Sequence, residues 1–97
     1  MRTQEQVLKI LKEEHSNLKE TFQIKRIGIF GSWVRGEQTE GSDIDVLVEF
    51  EKPVGFFAII ELEDHLNELL RVRVDFVTSD ALKPLIKFYI LEETVYA

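Results

Sequence analysis

The sequence predicts an α/β fold, a small mixed β-sheet with covering helices, on three observations. Three short β-branched runs alternate with helical patterns in the order α-β-(short α)-β-α-β-α. The length of 97 residues allows one domain, residues 1–97, with no room for a second. A composition of 44% apolar and 31% charged residues is that of a folded chain and excludes disorder.

The first helix is expected over Gln4 to Phe22, where Val7, Leu8, Leu11, Leu18 and Phe22 recur at helical spacing. Thr3 followed by Gln6 fits a capping box at its start. Ile24 to Phe30 reads as a strand that stops at Gly31-Ser32, and residues 33–36 as a single helical turn. After a polar loop, residues 43–50 (DIDVLVEF) alternate as a second strand, with Ile44, Val46 and Val48 on one face and Asp43, Asp45, Leu47 and Glu49 on the other. Lys52-Pro53-Val54-Gly55 is a turn. Phe56 to Leu70 then forms an amphipathic helix, with Phe56, Ile59, Ile60, Leu66 and Leu70 expected inward. Residues 71–78 (RVRVDFVT) give a third strand, and Ser79 or Asp80 is expected to cap a last helix with Pro84 in its first turn. Its Phe88-Tyr89-Ile90-Leu91 run reads as core.

Composition also removes whole classes of function. The chain has no cysteine, which excludes disulfides, thiolate metal sites and a cysteine nucleophile. No apolar run reaches the ~18 residues of a membrane span and no signal peptide opens the chain, so a cytoplasmic address without membrane association is expected. The net charge of −6 argues against nucleic acid as a partner. Six of the 18 acidic residues lie between Glu37 and Glu51, where there is no basic residue, so the entire excess falls on one stretch.

That stretch carries the chemistry. Asp43 and Asp45 stand two apart on a strand, so both carboxylates project from one face. Like charges this close need a cation, and Mg²⁺ or Mn²⁺, hard and oxygen-seeking, suits them; two such ions would suit an in-line phosphoryl displacement. Separated from Asp43 by ten intervening residues, Gly31-Ser32 at a strand end offers close backbone approach, free N–H groups and a hydroxyl to phosphate oxygens. Arg35, one turn on, could add a bidentate contact. Asp75, inside the third strand, needs a partner: Arg73, the metal ions, or the proton of an acceptor hydroxyl. His15 and His65 read as ordinary helix residues, and nothing in the sequence decides what Trp33 does.

The segments Gly31-Ser32-Trp33-Val34-Arg35-Gly36, Ser42-Asp43-Ile44-Asp45-Val46-Leu47-Val48 and Val74-Asp75-Phe76-Val77-Thr78 together resemble the minimal nucleotidyltransferase (MNT) group of the DNA polymerase beta-like nucleotidyltransferase superfamily. Arg71 departs from the pattern, standing near a position where glycine commonly precedes the third strand. The resemblance implies that Gly31, Ser32 and Arg35 bind the nucleotide, and that Asp43, Asp45 and Asp75 are catalytic and hold the metal. It further implies ATP as substrate, AMP as the transferred group, and a HEPN-family ribonuclease toxin as partner, with this chain as its antitoxin modifying a toxin tyrosine. Two alternatives stand beside this: an antitoxin that only masks its partner, and a nucleotidyltransferase acting on a small molecule or an RNA end. Little chain is left over to build an acceptor pocket, which favours an acceptor presented by another protein. Homo- or hetero-oligomeric assembly, base preference and the metal used in cells stay open.

Overall fold

A computed structural model describes residues 3–97. Helix α1 spans Gln4–Phe22 and begins with the expected capping box: the Gln6 N–H donates to Thr3 Oγ1 at 3.1 Å and the Thr3 N–H to Gln6 Oε1 at 2.8 Å. These bonds satisfy two of the donors that a helix start leaves open. Strand β1 is Ile24–Phe30, α2 the short helix Ser32–Arg35, β2 Ile44–Phe50, α3 Phe56–Leu70 and β3 Val74–Thr78. A 3₁₀ turn over Ser79–Ala81 leads to α4, Pro84–Glu93, and the chain closes with β4, Val95–Tyr96.

The sheet has the order β3-β2-β1-β4 and is mixed, as expected: β1 pairs antiparallel with β2 and β4, while β2 and β3 run parallel. One face carries Ile27, Ile29, Ile44, Val46, Val48 and Val74, all buried beneath α1 and α3. Val7, Leu11 and Leu18 come down from α1, and Leu62, Leu66 and Leu70 from α3. The opposite face is where Asp45, Leu47 and Glu49 project. Gly28 lets the last strand close on β1, because a Cβ there would stand 2.7 Å from the Val95 carbonyl oxygen. Among the described residues no helix is long and apolar enough to cross a membrane.

Several local expectations are corrected. In α3 the buried row is Leu62, Leu66 and Leu70, whereas Phe56 and Ile60 are exposed. Phe56 is the first residue of the helix, and its ring stands edge-on to that of Phe57 at 6.0 Å. Ser79 and Asp80 sit in the 3₁₀ turn; the residue that enters α4 is Lys83, with Pro84 at the first helical position. The Phe88–Leu91 run is not core. No residue of α4 is buried, and Leu85, Ile86, Phe88 and Tyr89 are exposed. An apolar stripe says only that a helix will be covered; it does not say that the same chain covers it. Trp33 is the reverse case, fully buried in the core.

Leu66→Ala is expected to cost about 3 kcal/mol by leaving a cavity between α3 and the sheet. Phe57→Ala, at a 79% exposed position, should stay within about 0.5 kcal/mol. Urea denaturation of the two variants checks both values.

Candidate active site

Strand register assembles the site. Asp45 is the cross-strand partner of Phe30, the last residue of β1, on one side and of Asp75 on β3 on the other. Gly31 therefore follows directly beside Asp45. It adopts the left-handed conformation (φ 78°), and a Cβ on it would fall 2.1 Å from Asp45 Oδ2. Only glycine lets the backbone run this close to the carboxylate. The Gly31 carbonyl accepts from the Val34 and Arg35 N–H groups at 3.1 and 3.2 Å, which starts α2 and places Ser32, half-buried, at its first position.

Asp45 and Asp75 stand side by side in the β2–β3 register, and Asp43, exposed, immediately precedes β2. The Asp45 carboxyl is pushed up to about 6. Burial is the main cause, followed by the hydrogen bond and charge of Asp75 and then the charges of Asp43 and Glu93. The structure thus brings Asp45 and Asp75 together with Gly31, and leaves Asp43 at the margin. Among the described residues no three acidic or histidine side chains stand grouped at ligating distance. The donor set still fits a hard divalent cation: it is all carboxylate oxygen, and its mutual repulsion is what a cation would relieve.

Arg35 lies near, but its guanidinium is held by two carboxylates: Nε donates to Glu37 Oε1 at 2.6 Å and Nη1 to Glu93 Oε1. Both bonds raise its pKa. Glu93, from the end of α4, was not foreseen. The only local signal was an acid at a helix C-terminus, where the dipole disfavours it. Arg73 forms no ion pair with Asp75. Glu49 serves Arg26 instead, at 2.7 Å, which holds its carboxyl below the usual range. His15 and His65 lie on α1 and α3, the latter against the Phe22 ring at 5.5 Å. Beside Asp43 opens a cleft of about 630 Å³, lined by Gln6, Trp33, Glu40, Asp43, Arg71 and Arg73 among others.

Residues 5–97 match the family described as "Nucleotidyltransferase domain", and the chain belongs to it. The Protein adenylyltransferase MntA of Thermococcus cleftensis is 45% identical over 96 residues, covering 99% of this chain and 97% of the relative. A solved structure assigned as a minimal nucleotidyltransferase superposes with a TM-score of 0.81 at 34% identity, covering 97% of this chain and 95% of that one. The fold also matches a structure described as a tri-AMPylated Shewanella oneidensis HEPN toxin in complex with MNT antitoxin (TM-score 0.64, 19% identity, 92% of this chain and 70% of that one).

The raised Asp45 carboxyl sets a pH dependence. Its folded pKa of about 6 exceeds the ordinary 3.8, so the folded state holds the proton more tightly than the unfolded one. Stability of the metal-free protein should then fall as pH rises from about 4 to about 6. Asp45→Asn should remove this slope and raise Tm at pH 7 by about 5 °C. Thermal melts in EDTA across that range measure both.

Proposed function

We propose that this chain transfers AMP from ATP, with Mg²⁺ or Mn²⁺, to a tyrosine hydroxyl of a partner HEPN ribonuclease toxin, and so acts as its antitoxin. The observation that carries this reading is the Asp45–Asp75 pair in register, packed against the Gly31 backbone. Asp43 and Asp45, with Asp75 as third carboxylate, would hold the metal, which when bound supplies positive charge to the phosphates. The backbone at Gly31 and Ser32, with the Ser32 hydroxyl, binds phosphate oxygens, and Arg35 assists when it releases one of its two carboxylates.

Asp75 has a second role open to it. It is exposed at the edge-strand side of the pair, where an incoming hydroxyl can reach it. In that role its carboxylate takes the hydroxyl proton, the hydroxyl oxygen bonds to the α-phosphorus, and the bond from that phosphorus to the β-phosphate oxygen breaks, releasing pyrophosphate. The protein acceptor is supported by α4, which leaves apolar side chains uncovered and ends at Glu93, beside the site. The relative named protein adenylyltransferase matches over nearly its whole length, which supports a protein as acceptor.

The same uncovered helix favours a second reading, in which the chain neutralises its partner by covering it without chemistry. The test is incubation with ATP labelled at the α-phosphate, Mg²⁺ and a HEPN-family protein, taken from the neighbouring gene where that gene encodes one. Label should appear on the partner, and Asp43→Asn/Asp45→Asn should lower its rate at least about 100-fold. Label transfer that survives the double variant overturns the site. Full neutralisation of the toxin by that variant supports covering instead.

A further inference from the structure

Phosphate binding needs cations, and Arg35 enters the site already neutralised. Glu37 and Glu93 both bond its guanidinium, so the trio carries two negative charges against one positive. Two further cations, Arg71 and Arg73, stand by Asp43 at the margin of the site. Both line the 630 Å³ cleft beside Asp43, both are exposed, and among the described residues neither takes part in an ion pair or a side-chain hydrogen bond. Arg73 sits at the level of Asp43: Ile44 and Val74 are strand partners, and the Ile44 N–H donates to the Arg73 carbonyl at 2.9 Å.

Arg71 carries a second signal. It ends α3 in the left-handed region, with φ of 55° and its N–H donating to the Asn67 carbonyl. Glycine occupies this cap position at no steric cost, and an arginine does not. Gln23 ends α1 in the same way; what sets Arg71 apart is a charged, unpaired side chain at such a cap beside the Asp43 carboxylate. The cleft is within the size range of small-molecule sites, and its lining carries both signs of charge, Glu40 and Asp43 with Arg71 and Arg73.

We propose that Arg71 and Arg73 form a cationic clamp for the phosphates of the incoming nucleoside triphosphate, entering from the Asp43 side of the site. The clamp rests on the nucleotide-transfer reading for its ligand, but not on the identity of the acceptor. Guanidinium groups pair with phosphate bidentately, so each contact is specific as well as attractive. The clamp supplies the positive charge that Arg35 has already committed to Glu37 and Glu93.

The test compares binding of ATP and of adenosine, which lacks phosphate, by calorimetry on the full chain. Arg71→Gln/Arg73→Gln should weaken ATP at least about tenfold and leave adenosine within about twofold. A charge-matched control, Lys12→Gln/Lys19→Gln on the exposed face of α1, should leave both unchanged. Arg71→Gly guards against misfolding as an explanation: it relieves the left-handed residue, so Tm should rise while ATP binding weakens. ATP affinity within about twofold of wild type in the double arginine variant, or equal loss for adenosine, overturns the clamp, as does absence of ATP binding by the wild type. A wild type that binds ATP through these arginines yet labels no partner defeats the transfer reading and leaves the clamp standing.

Discussion

The crowding of carboxylates at the start of β2 is the constraint around which the rest of the site is arranged. Asp45 is fixed between Phe30 and Asp75 by strand pairing on both sides, so it cannot turn away from its neighbour as a loop aspartate would. Burial and the facing acids push its carboxyl up to about 6. A sheet that served only stability would not place two carboxylates side by side in adjacent strands. The fold tolerates the arrangement because the other face of the same strands, Ile44, Val46 and Val74, is sealed under α1 and α3.

Glycine and charge pairing then set how the surroundings respond. Gly31 brings backbone to within contact of the Asp45 carboxylate, which no residue with a Cβ could do. Arg35 is drawn off to Glu37 and Glu93, while Arg71 and Arg73 stay unpaired on the cleft wall. The net charge of −6 thus hides an uneven pattern, with acids on β2 and its preceding loop and two unpaired guanidinium groups lining the cleft beside Asp43. Family membership as a nucleotidyltransferase domain and the local electrostatics point the same way.

Much of this was legible in the amino-acid order because it depends on short-range patterns. The Thr3–Gln6 cap, the alternation of β2 and the abrupt stop at Gly31 are each written within a few residues. The Asp-x-Asp spacing predicts two carboxylates on one face, and the strand holds only the second of them, Asp45. What stayed hidden is non-local. Glu93 reaches the site only because α4 carries the chain from β3 across to the far edge of the sheet. Strand β4 is two residues long and has no periodicity to read. The exposure of Phe88 and Tyr89 contradicts an apolar run that looks the same whether the covering surface lies in this chain or in another.

Asp45 is, on this reading, a carboxylate held ready for a cation. That readiness is tested most directly by following the Asp45 side-chain carbon by ¹³C NMR through a pH titration, first in EDTA and then with Mg²⁺ and a non-hydrolysable ATP analogue. A midpoint of about 6 is expected without the cation, and a fall below the ordinary carboxylate value with it. A midpoint at the ordinary 3.8 in EDTA, or one that Mg²⁺ and nucleotide leave unmoved, would contradict it.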